Sequence, residues 1–354
     1  MKKRESNMEL LRIISILLII IFHCAYKSGF VFEQQFTMNE FIIKSLWMLG
    51  ELGVNMFVLI SGYFMINSKF KWKKLFLLLI EVLFYHFFTI FISLQLGIFQ
   101  YTGLRSIFMS FFPIIFNNYW FITAYVIVYV LSPYLNIFIF SLDKITYKKF
   151  LFTLLFLYSV IPTLFGVFVN TTEGFLFYNR LIWLLIVYFT GAYIKLYSIS
   201  FISSFKKSIL VILTSFSVLI GSILIIEKLE ALFSKFGTTE IAYLWPPNSL
   251  PMFFASVGLF GVFMYLKLPY SRIINFLGST TLGIYLLYDG YLSGWLWHTM
   301  FKCTNYQSSK YLIFYIIFSA IVIFTVGVII DFLRQILEKH IIKKALDSKI
   351  MTKF

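Results

Sequence analysis

A chain of 354 residues that is 60% hydrophobic and 21% aromatic, with only 13% of its residues charged, has too little polar surface to cover a water-soluble domain. The net charge of +15 would suit nucleic acid, yet 22 of the 30 Lys and Arg residues lie on the same side of the membrane as the N-terminus and 8 on the other. Cytoplasmic loops carry that asymmetry, so the basic balance is topology, both termini are placed in the cytoplasm, and no nucleic-acid partner is expected.

Apolar runs of roughly 18 to 25 residues recur along the chain, each long enough to cross about 30 Å of hydrocarbon as a helix. In lipid the backbone must satisfy its own hydrogen bonds, so these runs are helical. The pattern predicts an all-α polytopic bundle of about ten spans, at 10–30, 44–66, 75–98, 119–140, 150–170, 180–197, 207–226, 250–267, 278–300 and 311–333. Lys2, Lys3 and Arg4 resemble the head of a secretory signal, but the apolar core that follows is too long and no small-x-small cleavage site ends it. Cys24, within the first run, and Cys303, in a late outer loop, are the two cysteines. A disulfide joining a helix to a loop is possible but is not the expectation. The outer segment 99–118, with "LRSIFMSFFPIIF", suggests an interfacial or re-entrant element. The outer segment 227–249, ending in Pro246-Pro247, is long enough to shape a mouth. Asn170-Thr171-Thr172 matches a glycosylation sequon by chance. After the last span, "RQILEKHIIKKALDSKIMTKF" is expected to lie on the inner leaflet as a basic amphipathic tail. No shift in composition marks a second domain, so 1–354 is expected to be one transmembrane domain without an appended extracytoplasmic one.

Ionisable side chains at membrane depth cost a few kcal/mol each and by default face the protein interior. Here they are Arg12 and His23 in the first span, Glu51 with Asn55 in the second, Glu81 and His86 in the third, and Asp289 in the ninth. Counted at about 1.5 Å per residue from the inner end of each predicted helix, His23 lies about 20 Å up, Glu51 about 23 Å, and His86 and Asp289 about 17 Å. Four helices thus bring ionisable groups to one thin band. Arg12 and His23, eleven residues apart, return to within about 20° of the same helix face, with Arg12 about 16 Å nearer the cytoplasm. Plainer readings exist: Arg12 as a snorkelling anchor, His86 as a packed core residue, Glu81 with Tyr85 as a structural pair, and Asp289 satisfied by neighbouring tyrosines. At the inner face, "NSKFKWKKLF" sets Lys69, Lys71, Lys73 and Lys74 around Trp72, either as plain anchoring on lipid phosphates or as a clamp for a phosphorylated ligand with the indole free to meet a base. Nucleophile elbows, Walker loops and Cys/His metal spacings are absent. Histidine is left as the base suited to neutral pH.

Five stretches in order resemble the acyltransferase 3 family of membrane proteins. They are "RIISILLIIIFH" with its Arg-x10-His, "GELGVNMFVLISGYFM", "YWFITAYVIVYVLSPYLN", "VYFTGAYIK" and "LGSTTLGIYLLYD". The resemblance implies a ten-helix bundle in the bacterial cytoplasmic membrane. It would move an acyl group, commonly acetyl from cytoplasmic acetyl-CoA, to a hydroxyl of a cell-surface polysaccharide or lipid-linked sugar, with membrane lipids as neighbours and no metal. It implies His23 as the catalytic group and Arg12 as part of the donor site, which Lys71, Lys73, Lys74 and Trp72 would extend. Asp289 or Glu51 would orient the imidazole, and Asn55, Tyr288 and His86 are supporting candidates. Two departures stand out. The family's Arg-x-x-Arg at the start of the third span is matched only by Lys71 and Lys74, which cannot make a bidentate fork, and Tyr288 stands where the ninth span usually has histidine. Whether His23 is itself transiently acylated stays open. The alternative is a glycolipid or polysaccharide transporter, a flippase without acyl chemistry. Such a protein should show Gly/Pro-broken helices in matching halves, and these are not evident.

Overall fold

The computed structural model describes residues 4–32, 37–165, 178–233 and 244–342. The described residues are predominantly helical, without strands, and eight helices are long and apolar enough to cross a membrane. In chain order the principal helices are α1 (Ser6–Lys27), α2 (Met38–Met65), α3 (Trp72–Gln95), α4 (Trp120–Ser141), α5 (Lys144–Phe165, with a π-turn at Phe156–Val160), α6 (Arg180–Tyr197), α7 (Phe205–Phe233), α8 (Leu250–Tyr265), α9 (Arg272–Tyr288) and α10 (Leu312–Leu337). Starts are written in the local sequence: Thr37, Asn179, Ser249 and Ser271 each accept a backbone N–H of the first turn of α2, α6, α8 and α9.

Of the apolar stretch that defines each span, 67% is buried in α1 and 61% in α2 and α6, against 33% or less in α3, α4, α5, α7 and α10. The first group is therefore central and the second lies around it with apolar faces outward, such as Leu210, Leu213 and Ile225 on α7 and Phe314, Ile321 and Phe332 on α10. α1 packs on α2, α9 and α10, and α2 continues onto α6 and α8. Small residues set these approaches. A Cβ on Gly53 would stand 2.6 Å from the Ser15 carbonyl of α1, one on Gly62 2.2 Å from the Tyr188 carbonyl of α6, and one on Gly191 2.4 Å from the Leu59 carbonyl of α2. Backbone meets backbone on both sides of α2, the close packing that small residues permit in membranes.

Several sequence expectations shift. The ninth span, expected at 278–300, runs from Arg272 and stops at Tyr288, with Asp289 as its C-cap. Gly290 follows where any Cβ would come within 2.8 Å of the Tyr119 hydroxyl. Within the helix, the Ser279, Thr280 and Thr281 hydroxyls each bond the carbonyl three residues back. α8 and α9 have 16 and 17 residues, at the lower limit for a membrane span; their largely buried side chains show that other helices surround them. In the outer segment 99–118, a short helix Leu104–Ser110 exposes Leu104, Ile107 and Phe108, as an interfacial element does. Arg334, assigned to a surface tail, is buried instead. Its guanidinium binds Asp331 at 2.6 Å, Glu338 at 2.8 Å and Glu81 of α3 at 3.1 Å, and the Tyr85 hydroxyl donates to Asp331 at 2.8 Å. Glu81 and Tyr85 thus belong to one network that ties α3 to α10. Lys44 of α2, fully buried, is held by Glu40 and by Glu227 of α7. The sequon, residues 234–243 of the segment 227–249 and the tail beyond residue 342 lie outside the described residues.

Gly62→Val should abolish monodisperse protein in detergent, because its side chain meets a carbonyl that cannot move aside; overpacking of this kind costs about 1–3 kcal/mol or more. Gly221→Ala, in α7 with nothing within 4 Å, should leave the melting temperature unchanged or slightly raised. Arg334→Met should destabilise by about 3–5 kcal/mol, since it strands buried carboxylates, read as a loss of thermal stability relative to the Arg334→Lys variant.

Candidate functional site

One face of α1 carries Arg12, Ile16, Ile19, His23 and Lys27, and all five line a single cavity of about 650 Å³. α2, α3, α4 and α9 supply its other walls with Glu51, Ser61, Leu78, Glu81, Phe121, Tyr125 and Ser279. The cavity runs from Arg4 and Arg12, at the inner end of α1, past His23 to Tyr26, Tyr178, Arg180 and Trp245 at the outer end. Its inner end holds two guanidinium groups and its outer end is aromatic.

His23 is 8% exposed. Its Nδ1 lies 3.2 Å from the Tyr288 hydroxyl, and its Nε2 lies 3.7 Å from Asp289 Oδ1. Asp289 is held more tightly by Lys27, whose Nζ donates to the same Oδ1 at 2.5 Å and to Ser293 at 3.3 Å. With α9 beginning at Arg272, Asp289 stands 17 residues above the start of its helix, the same count that separates His23 from Ser6; both are about 25 Å from the inner ends. The level of Asp289 expected from the span at 278 is corrected upward, to that of His23. Lys27 was missed by sequence reasoning although its signal was present: it is one turn beyond His23 on the same face.

Glu51 faces the cavity with Oε2 buried and without a hydrogen-bond partner among the described residues. The Arg180 guanidinium stacks 4.7 Å above the Trp120 ring on the same side. At the outer end Tyr26 stacks on Phe22 with ring centroids 5.3 Å apart, and lies 6.1 Å from Trp245. At the inner end, buried Glu9 bridges Arg12 at 2.9 Å and Arg4 at 3.4 Å. Sequence reasoning passed over Arg4 and Glu9. The Glu9-x-x-Arg12 spacing of one turn was the available sign.

Lys71, Trp72, Lys73, Lys74, Asn55 and His86 are not brought to the cavity lining. Lys71, Trp72, Lys73 and Lys74 sit at the N-terminal end of α3; Trp72 is 51% exposed and packs edge-on against Phe70, while the Lys71 backbone is bound by the Tyr129 hydroxyl. Asn55 is fully occupied elsewhere: its amide nitrogen donates to the Pro247 carbonyl at 2.9 Å and to Ser256 at 3.2 Å, and its oxygen accepts from Trp183 at 2.8 Å. It joins α2 to α6 and α8, and has no donor left for a reacting oxygen. His86 is fully buried between Tyr119 and Tyr291, at 5.9 and 5.5 Å, with neither ring nitrogen hydrogen-bonded among the described residues. Among the described residues no three His, Cys, Asp or Glu side chains converge as a metal ion would require.

A family model described as an acyltransferase domain, that of acyltransferase 3, matches residues 5–332. No curated protein and no solved structure matches the chain. The match takes in every helix that lines the cavity and both residues of the Arg-x10-His pair: the chain is a multi-pass membrane protein and belongs to the acyltransferase 3 family.

Proposed function

We propose that this acyltransferase moves an acyl group, acetyl being the simplest, from cytoplasmic acyl-CoA to a hydroxyl of an extracytoplasmic or lipid-linked glycan in a bacterial cytoplasmic membrane. The observation that carries the reading is the single cavity in which one helix face presents Arg12 below, His23 within and Lys27 above. A long, thin donor with an anionic head suits that shape. Its phosphates would meet Arg4 and Arg12, which supply the guanidinium forks that the lysines at the start of α3 lack. The pantetheine arm would run up the face of α1 and leave the thioester beside His23.

In the reaction the acceptor hydroxyl attacks the thioester carbonyl carbon as its proton passes to Nε2 of His23. The C–S bond then breaks, and the thiolate takes the proton back from the imidazolium. For Nε2 to be the base, Nδ1 must carry the hydrogen and donate it to the Tyr288 oxygen. Tyr288 therefore acts as a positioning residue, the phenol doing with one oxygen what a second imidazole would do with a nitrogen. Asp289 stabilises the imidazolium through space, tempered by Lys27. The ring faces of Tyr26 and Trp245 and the carboxylate of Glu51 offer a sugar the apolar surface and hydroxyl partner it needs, and give the acceptor the outer end of the cavity.

His23→Ala should lower transfer of labelled acetyl from acetyl-CoA to a glycan by about 10²–10⁴-fold at normal protein level, the range for loss of a general base; full activity in the purified variant would disprove the mechanism. A transporter without acyl chemistry would show no transfer even as wild type. Tyr288→Phe should reduce kcat by roughly tenfold with little change in KM for the donor, the loss expected from one hydrogen bond made to the reacting base. Arg12→Ala should raise KM for acyl-CoA by about tenfold or more, whereas Lys71→Ala and Lys74→Ala should change it less than twofold; the reverse ranking would move the donor site to the start of α3.

A further inference from the structure

The chain contains two cysteines, 279 positions apart, and the fold brings them together. Cys24 lies near the outer end of α1, and Cys303 opens a short 3₁₀ turn in the outer connection between α9 and α10. Both are fully buried, and their Sγ atoms are 3.1 Å apart. The setting is well braced. The Ser28 hydroxyl donates to the Cys24 carbonyl at 2.5 Å, and Gln307, just past Cys303, accepts from the Val31 amide at 3.2 Å. Asn39 donates to the carbonyls of Gln307 and Ser309 at 2.7 and 3.0 Å. The expectation that a helix cysteine and a loop cysteine stay apart fails because the outer connection folds back onto the end of α1. By the charge distribution, this is the extracytoplasmic side, where disulfides persist.

We propose that Cys24 and Cys303 are joined as an intramolecular disulfide in the mature protein. It forms by exchange with a disulfide-bearing oxidant outside the cytoplasm. One thiolate attacks the oxidant's S–S bond, displacing one of its sulfurs, and the second cysteine then attacks the mixed disulfide and displaces the other. One S–S bond forms in this chain and one is lost from the oxidant, which leaves as a dithiol carrying the two protons and two electrons. Because both side chains end up buried, the exchange precedes the closing of the outer connection over α1. The link has a consequence for the site. His23 adjoins Cys24 in sequence, and Trp297, in the same connection as Cys303, packs 6.3 Å from the Tyr288 ring. The disulfide therefore pins the helix that carries the imidazole to the connection whose Trp297 packs against its hydrogen-bond partner Tyr288 at the end of α9.

The test is a mass measurement on the full-length protein, denatured directly from membranes in excess N-ethylmaleimide so that burial hides nothing. The disulfide predicts no adducts before reduction, two after it, and a peptide pair linking Cys24 to Cys303 in the unreduced digest. Cys303→Ser should give one adduct without reductant, on Cys24. Two adducts on the unreduced wild type would overturn the proposal, as would a reductant-sensitive dimer, which would show that the cysteines pair between chains. The readout does not depend on acyl transfer, so it stands or falls separately from the function proposed above.

Discussion

Charge in a hydrocarbon layer must be surrounded by protein, and this constraint organises the whole molecule. α1 carries an arginine, a histidine and a lysine on one face, so it cannot lie at the periphery. It is the most buried of the eight long helices, with α2, α9 and α10 packed around it. α2 can lie close enough to close that enclosure because Gly53 and Gly62 put backbone against backbone on its two sides. Elsewhere the same constraint takes a different form. The Glu81–Arg334–Asp331 group and the Lys44–Glu40–Glu227 group neutralise their charges by pairing across helices. They cross-brace the bundle, while the charges on one face of α1 line the cavity.

Within that cavity the polar groups are graded along the membrane normal. Guanidinium groups stand at the inner end, the imidazole with its phenol and carboxylate neighbours lies well above them, and aromatic rings with Glu51 and Arg180 close the outer end. This order suits a reaction whose two substrates approach from opposite sides. An anionic head would be stopped by the arginines, and only a slender arm passes further; a sugar would meet rings and a carboxylate without having to enter the inner half. Asp289 illustrates how little an isolated distance decides. It lies 3.7 Å from the imidazole but 2.5 Å from Lys27, so its charge is largely spoken for, and Tyr288 is the closer orienting partner.

The sequence by itself determined the class and the central element. Runs of apolar residues separated by lysine-rich loops admit one architecture, and the turn arithmetic of α1 put Arg12 and His23 on one face whatever the other helices did. Covalent spacing along a single helix survives folding unchanged. What only the tertiary structure decided concerns pairs from different helices. Asn55 and His86 have the depth and polarity of site residues, yet one is consumed in joining three helices and the other is sealed among aromatic rings, because depth says nothing about azimuth. Lys71, Lys73 and Lys74 have the charge for a phosphate site but sit at the start of α3, outside the cavity lining, while Arg4 lines it and is bridged to Glu9. The two cysteines, remote in sequence, meet because the connection after α9 breaks at Gly290 and turns back over α1. Helix rotation and loop return are set by packing among all the helices at once, and no local pattern in the chain encodes them.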